Sequence, residues 1–258
     1  MNRDEMINLV YTAHDTLFNK HEFDNLTDYF AEDFIEHSPF VKDNLNGLIE
    51  LVKDCGPGLK YTNARKFAND EYVALHGGFV NLTEDELVGF DINRVKDGKI
   101  VEHWVNLVLK ADPNVSGNTQ LDGPAEVDRS FDAAKNQAIV VPFFEEVLMK
   151  QQYELIPQYT NGDDFQQHSP DIGNSADAMR DFLIQLQKDG TPLVYHKIHR
   201  VIADGQFVLT HSEGEIDGKR TAYCELWRVD ENGKVSELWD AIGEVPEDKD
   251  AVHPYGLF

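Results

Sequence analysis

Histidines recur at matching places in the two halves of this sequence, and histidine is the side chain that most readily transfers protons near neutral pH. His37 and His168 each precede Ser-Pro, and His76 has a counterpart in His211. Asp240 is a carboxylic acid with apolar residues on both sides at alternate positions. Burying a carboxylate among apolar side chains costs free energy, which argues against a purely structural role. Burial raises the pKa of a carboxyl towards neutrality, so a pocket holding both residue types can work as general acid and base.

The recurrence of these residues indicates a duplicated domain. The matched segments of the two halves appear in the same order and at nearly constant spacing. They are Glu36-His37-Ser38-Pro39 with Gln167-His168-Ser169-Pro170, Arg65 with Arg200, His76 with His211, Gly98-Lys99 with Gly233-Lys234, and Trp104 with Trp239. The period is too long for a solenoid, so two copies of one domain are predicted.

Each copy is predicted to begin with helices and to end with long strands. Apolar residues from Met6 to Leu17 mark one helix face, and further helices are predicted through residues 23–29 and near 44–54. A short strand ends at His37. Three long β-like segments follow, at 61–82 with a turn at 69–71, at 86–95 and at 99–110. The second copy repeats this order, and Pro142 is expected to kink its first helix or to delay its start.

Helices followed by hairpinned strands predict the α+β class. The polar stretch between the copies, rich in proline and glycine, is predicted to be a linker. The predicted domains are therefore residues 1–112, a linker at 113–128, and residues 129–258, with the tail after Val245 belonging to the second copy.

Composition limits the possible partners. The 258 residues carry a formal net charge of −24, which argues against nucleic-acid binding and against attraction to an anionic membrane. Cys55 and Cys224 fit no metal motif and are expected to be small buried hydrophobic residues. No apolar signal core follows Met1 and no apolar run is long enough to span a bilayer, so a cytoplasmic protein is expected.

Three segments of the first copy resemble the SnoaL-like polyketide cyclase family of the nuclear transport factor 2-like superfamily. These are Val95 to Trp104, Ile35 to Pro39, and Gly117-Asn118-Thr119. The resemblance implies a strongly bent antiparallel sheet wrapped around helices, with a pocket that opens into the cone. Members include cyclases, steroid isomerases, epoxide hydrolases and binding modules without catalysis, and they often form dimers through the sheet. The two copies are therefore predicted to form an intramolecular pseudo-dimer.

The resemblance also assigns the site. The catalytic aspartate of the family follows the His-Trp of the last strand, a position held by Val105 in copy one and by Asp240 in copy two. A second polar position in the preceding strand falls on Asp91 and Glu225. Copy two is predicted to be the catalytic cone, through Asp240, Glu225, His211 and His168. Copy one is predicted to bind ligand or to serve as a structural partner, and the candidate ligand-binding residues are His37, His76, Asp91, His103, Arg65 and Arg200.

Several of these residues have a structural alternative. His37 and His168 are equally suited to bonding local backbone, whereas Arg65 and Arg200 are expected to pair with acidic neighbours rather than to contact ligand. Two histidines and Asp91 could form a metal site, but their spacing matches no metal motif. We predict no metal and no cofactor.

The predicted function is acid–base catalysis on a small apolar carbonyl compound, by aldol-type cyclisation or by isomerisation. A base removes a proton next to the carbonyl, and a donor stabilises the resulting oxyanion. The alternatives are a binding protein that holds a small apolar ligand, and an epoxide-type hydrolase in which Asp240 activates water.

Overall fold

A computed structural model describes residues 1–258 and divides into two compact units. One unit contains Met1–Lys110 together with Pro246–Phe258, and the other contains Ala111–Val245. Each unit holds one five-stranded sheet and its own apolar core. None of the helices is both long and apolar enough to cross a membrane.

Copy one has the predicted order of helices and strands. A capping box formed by Asn2 and Glu5 starts the first helix, which runs directly into a π-helical turn at Asp15–Lys20. The elements are α1 (Arg3–His14), β1 (Phe30–Glu36), α2 (Asn44–Cys55), β2 (Lys60–Ala68), β3 (Tyr72–Val80), β4 (Leu87–Lys96) and β5 (Lys99–Leu109). The predicted α+β class is confirmed.

The sheet of copy one has the order β1-β5-β4-β3-β2. Its neighbours are antiparallel except at one edge, where β1 runs parallel to β5. The expectation of a wholly antiparallel sheet is wrong at this edge, because α2 carries the chain from β1 to the far edge before the hairpins begin. Bulges at Asn63/Arg65 and Arg94/Val95 bend the long strands.

Copy two repeats the topology, with the order β6-β10-β9-β8-β7 and one parallel pair at β6. Its elements are α3 (Ala133–Phe143), α4 (Ile156–Tyr159), β6 (Gln166–Gln167), α5 (Ala176–Asp189), β7 (Val194–Asp204), β8 (Phe207–Ile216), β9 (Lys219–Val229) and β10 (Val235–Glu244).

Pro142 does not delay the start of α3. The helix begins at Ala133 and includes Pro142 in its last turn, and a π-helical turn follows at Phe144–Met149. Copy one has a π-helical turn at the matching place without a proline. The turn is therefore a property of the repeat and not a consequence of Pro142.

Two segments lie elsewhere than the predicted domain boundaries place them. The tail Pro246–Phe258 packs with copy one, where Val252 N–H donates to Pro39 O at 3.1 Å. The segment from Ala111, predicted in large part as a linker, packs with copy two, where Asn114 bonds to the backbone of the turn after β6. Each segment satisfies backbone carbonyls of a His-Ser-Pro turn, which were not visible as partners in the sequence.

Candidate active site in copy two

Two carboxylates lie side by side on the inner face of the copy two sheet. Glu225 of β9 and Asp240 of β10 are directly opposite each other in the antiparallel register, so their side chains share a face. Leu238 and Trp227 form the adjacent pair on the same face, and both belong to the apolar core. The two acids therefore project from neighbouring strands towards the interior of the cone.

Glu225 is almost fully buried, with 2% of its surface exposed. Tyr195 Oη donates to Glu225 Oε1 at 3.0 Å, and Glu225 Oε2 is buried without a hydrogen-bond partner. Burial, and then the nearby charge of Asp240, raise the pKa of Glu225 to about 8, against the opposing hydrogen bond from Tyr195. Burial also holds the pKa of Tyr195 well above its usual value, so this hydroxyl stays protonated.

Asp240 is only half-buried and is therefore the more accessible acid. Burial raises the pKa of Asp240 to about 6, while a hydrogen bond from Ser169 lowers it and the charge of Asp171 raises it. At pH 7 the pair holds one proton, mainly on Glu225, and one negative charge, mainly on Asp240. Two carboxyls that interact this closely titrate as a pair.

Further polar atoms lie on the same inner face. Ser212, which pairs with Tyr223 across β8 and β9, has a buried hydroxyl without a hydrogen-bond partner, and so does Tyr153. The rings of Tyr195 and Tyr223 lie 4.2 Å apart, and Phe144 meets Tyr195 edge-on at 4.8 Å. The carboxylate pair is thus surrounded by aromatic rings and by hydroxyls that could bond to a ligand.

The same strand positions in copy one carry an ion network instead. His103 Nδ1 lies 2.7 Å from Glu36 Oε2, and His103 Nε2 lies 3.1 Å from Asp91 Oδ1. Both ring nitrogens face carboxylates, so both must carry protons and His103 is an imidazolium. His14 Nε2 approaches Asp91 Oδ1 at 3.4 Å. All four side chains are buried.

The two shifted pKa values of this network lie far from neutrality. Burial alone would raise the pKa of Asp91, but His14 and His103 outweigh it and lower the pKa to about 2. Burial alone would lower the pKa of His103, but Glu36 and Asp91 outweigh it and raise the pKa to about 10. At pH 7 Asp91 therefore stays deprotonated and His103 stays protonated, so neither group readily serves as a general base or acid.

A small cavity lies beside this network. Its walls include His14, Asn93 and His103 together with apolar residues of both helices, the π-helical turn, β1 and β5, and it holds about 10 Å³, room for roughly one water molecule. A carbonyl substrate does not fit there. The cone of copy one is filled by its own side chains, among them Phe18, Tyr61 and Phe79.

Two predicted histidines lie on the opposite face of the sheet. His211 pairs with Cys224 and His76 pairs with Phe90, one position out of step with Glu225 and Asp91. Because strand side chains alternate between faces, neither histidine shares the inner face with these carboxyls. The prediction that His76 and His211 share a pocket with these carboxyls is therefore wrong. A shift of one residue along the strand decides which face a side chain occupies, and the repeat alone does not show this shift.

The predicted arginines accompany these histidines. Arg65 Nη1 lies 3.1 Å from His76 Nδ1, and Arg200 Nη1 lies 3.2 Å from His211 Nδ1. The strand registers place each arginine opposite its histidine on the same outer face. Neither arginine is positioned to contact a ligand inside its own cone.

The rings of His37 and His168 lie on the outer face of the sheet, with Trp104 and Trp239, although the charge of His168 still acts on Asp240. The ring of His37 stacks on Trp104 and that of His168 on Trp239, in both cases with centroids 4.5 Å apart. His168 Nε2 contacts Glu237 Oε1 at 2.8 Å, and Nδ1 lies 2.8 Å from Thr119 O. His168 Nδ1 also lies 2.7 Å from Asp122 Oδ1. These partners belong to segments remote in the chain, so a structural role fits His168 better than the predicted catalytic role, but its partners are not the local backbone of the alternative.

Four residues of these clusters were not singled out in the sequence as site residues. Tyr61 and Tyr195 occupy matching positions in the two copies, a signal that was available in the repeat. Glu36 stands where copy two has the uncharged Gln167, and this difference distinguishes the copy that has the ion network from the copy that lacks it. His14 gave no signal, because it sits in a helix pattern that reads simply as core. The structure contains no cluster of three or more His, Cys, Asp or Glu side chains arranged to hold a metal ion.

Comparison with known proteins identifies the domain. Residues 11–103 match the sequence profile of the SnoaL-like domain. This match covers most of copy one, and copy two has the same strand order in its own sheet. The predicted resemblance to tandem SnoaL-like domains is confirmed. No curated protein sequence matches the chain.

Solved structures to which the chain is similar include a steroid delta-isomerase from Pseudomonas aeruginosa, at 14% identity and a TM-score of 0.35, covering 46% of this chain and 85% of the other. An LEH-like epoxide hydrolase from M. tuberculosis has 22% identity and a TM-score of 0.35, covering 43% and 84%. A SnoaL-like polyketide cyclase from Agrobacterium tumefaciens has 16% identity and a TM-score of 0.33, covering 42% and 91%.

Proposed function

We propose that copy two is the catalytic cone of a cofactor-independent acid–base enzyme that acts on a small apolar carbonyl compound. The observation that carries this proposal is the pair formed by Glu225 and Asp240, whose pKa values of about 8 and about 6 lie on either side of neutrality. One acid and one base are thereby present together at pH 7, which is the condition for concerted proton transfer.

Each carboxyl has a distinct role. The half-buried Asp240 carboxylate removes a proton from the carbon next to the substrate carbonyl, and the electron pair moves onto the carbonyl oxygen. The protonated Glu225 donates a hydrogen bond or its proton to that oxygen, while Tyr195 keeps Glu225 in place. The enolate then attacks a second carbonyl in the same molecule, giving an aldol, or takes back the proton at another carbon, giving an isomer.

Copy one is proposed as the structural partner. Its shifted groups, Asp91 and His103, are charged at neutral pH, and its cavity has room for about one water molecule. Of the residues predicted to bind ligand in copy one, His103 lines this cavity but both of its ring nitrogens contact carboxylates, and His37, His76 and Arg65 are not among the lining residues. The pairing of the two copies as an intramolecular pseudo-dimer stays a prediction.

Hydrogen exchange on a model ketone tests the proposed chemistry without knowledge of the natural substrate. The chain is incubated in D2O with 2-tetralone or another simple cyclic ketone, and the loss of the proton next to the carbonyl is followed by NMR. Wild type is expected to accelerate exchange. Asp240→Asn is expected to lose roughly 10²–10⁴-fold of that acceleration, which is the usual contribution of a general base.

The matched control is Val105→Thr, which changes the corresponding position of copy one and is expected to leave the rate unchanged. If Asp91→Asn abolishes exchange and Asp240→Asn does not, the catalytic cone is copy one. If the wild type binds these ketones without accelerating exchange, the site is a binding site. If it opens an epoxide instead, Asp240 activates water.

A further inference from the structure

The turn that follows β6, residues 168–172, lies against Asp240. Its first residue, His168, donates its backbone N–H to Leu238 O at 2.9 Å, two residues before Asp240 in β10. The parallel register of β6 with β10, continued by two residues, places Ser169 opposite Asp240. The side chain of Ser169 lowers the pKa of Asp240 and the charge of Asp171 raises it. The position of this turn therefore decides which polar groups Asp240 meets.

One buried amide holds the turn. Asn114 Nδ2 donates to Gln167 O at 2.7 Å, to Ile172 O at 2.9 Å and, more weakly, to Ser169 O at 3.3 Å. Asn114 Oδ1 accepts from the backbone N–H groups of Ser116 and Asn118 at 3.0 and 3.1 Å, which fixes the orientation of the amide. Asn114 thus ties the residue before the turn to its last residue.

Asn114 is not part of the copy two repeat. It lies in the segment that follows β5, the last strand of copy one, yet this segment packs with copy two. We propose that Asn114 is a positioning residue for Asp240, because it holds the 168–172 turn so that Ser169 stays beside the carboxylate. The catalytic consequence rests on the proposed function, whereas the positioning itself does not.

Copy one supplies an internal comparison. Its matching turn is held by the C-terminal tail, through Val252 N–H to Pro39 O at 3.1 Å and His253 Nε2 to Ser38 O at 2.9 Å. The position that corresponds to Asp240 is Val105, so this turn has no carboxylate to orient. Loosening it is expected to leave Asp240 unaffected.

The titratable groups that act on Asp240 come from three places. Glu225 lies opposite on β9, and Asp171 and His168 lie on the turn. Tyr195 of β7 is close enough for its pKa to respond to the charge of Asp240. Of these, only the groups on the turn depend on Asn114 for their position.

The test is a titration of the Asp240 carboxyl by ¹³C NMR in the full-length chain. Asn114→Ala and Ser169→Ala are each expected to raise the pKa of Asp240 by about one pH unit, the size of a hydrogen bond to a charged group. Ser169→Thr keeps the hydroxyl and is expected to retain the wild-type titration. His253→Ala, the matched change in copy one, is expected to do the same.

A purely structural role would have a different signature. If Asn114→Ala lowers the denaturation midpoint while the titration of Asp240 is unchanged, the proposal is wrong, and Ser169→Ala tests it independently should Asn114→Ala not fold. If ketone exchange is observed, the acidic limb of its pH–rate profile should move to higher pH together with the titration. Because the titration requires no turnover, failure of the proposed function leaves this test intact.

Discussion

The two cones share a fold but differ in how they accommodate buried acids. In copy one, Asp91 is held as an anion by His103, which also contacts Glu36. In copy two, Leu238 and Gln167 replace the histidine and the glutamate in the matching strand pair. The acid that remains in copy two is Glu225. It has no positively charged neighbour, and its buried surroundings keep it protonated at neutral pH. The same strand position therefore carries a fixed charge in one copy and a labile proton in the other.

This difference shows that an ion network and a catalytic pair need opposite environments. A cation lowers the pKa of a buried carboxyl and fixes its charge, whereas an apolar wall and a second acid raise the pKa towards neutrality. Phe144 in copy two corresponds to His14 in copy one. His14 packs on Tyr61 of β2, and Phe144 packs on the matching Tyr195 of β7. Each replacement in copy two removes a positive charge or its partner.

Removal of the cation from copy one should have the largest effect on stability. His103→Leu leaves the buried Glu36 without its counter-charge and leaves Asp91 with His14 as its remaining partner, which is expected to cost about 3–5 kcal/mol in the free energy of unfolding. Hydrogen exchange measured by mass spectrometry on peptides of β4 and β5 checks this change locally.

The double variant Glu36→Gln/His103→Leu gives copy one the residues of copy two. It is expected to recover much of the lost stability at low pH, where Asp91 is free to become protonated. A single His103→Leu variant as stable as the wild type would show that the network contributes little.

Replacement of the buried acid of copy two, Glu225, should have the opposite effect on stability. The pKa of Glu225 is raised from 4.5 to about 8, so the folded state favours the protonated form. The resulting stabilisation is complete below pH 4.5 and is lost as the pH rises through 8. Glu225→Gln is therefore expected to stabilise copy two above pH 8 by roughly 3 kcal/mol, allowing for relaxation of the site.

Asp91→Asn is the matched control in copy one. The pKa of Asp91 is lowered from 3.8 to about 2, so its contribution is present above 3.8 and lost as the pH falls through 2. The variant should be less stable than the wild type at neutral pH. The same sign for both variants in urea denaturation at pH 9 would remove the distinction between the cones.

The coupling within the pair gives a smaller and more specific effect. Asp240→Asn removes the charge that helps to raise the pKa of Glu225, so this pKa should fall while remaining above its usual value because of burial. A ¹³C NMR titration of Glu225 measures the change. An unaltered titration would mean that the two acids act independently and would weaken the proposed division of roles.

The unpaired hydroxyl of Tyr153 should have the smallest effect. Tyr153 follows Lys150 as Phe23 follows Lys20 in copy one, so Tyr153→Phe installs the residue of the other copy. Because the hydroxyl has no partner, its removal is expected to change stability by no more than about 1 kcal/mol, by chemical denaturation. Tyr195→Phe breaks the bond to Glu225 and should cost more.

Much of the fold could be predicted from the sequence because its signals are local or repeated. Helix periodicity placed α2, hairpin turns placed β2 to β5, and the repeat transferred the order to copy two. The parallel pairing of β1 with β5 joins segments far apart in the chain, and no local pattern announces it. The segments after β5 and β10 pack where they can hydrogen-bond to the backbone carbonyls of the His-Ser-Pro turns. These carbonyls become available as partners only when the turns have folded.

The site was predicted only in part, for a related reason. Asp240 and Glu225 were assigned from the resemblance to the SnoaL-like family, and the register sets them opposite each other. His211 was selected from the repeat but lies one residue out of step, since Thr210 and not His211 pairs with Glu225. A one-residue difference in register moves a side chain to the other face of the sheet.

The sequence by itself determined that the chain is a duplicated α+β domain, that the copies differ at the position of Asp240, and that acids and histidines are available for proton transfer. Only the tertiary structure decided which of them meet. His103 lies between two carboxylates, whereas Asp240 lies beside a protonated Glu225 and a turn held by Asn114. The physical reason is that a pKa depends on burial and on charges a few ångströms away, and these neighbours come from strands and segments that are remote in the chain.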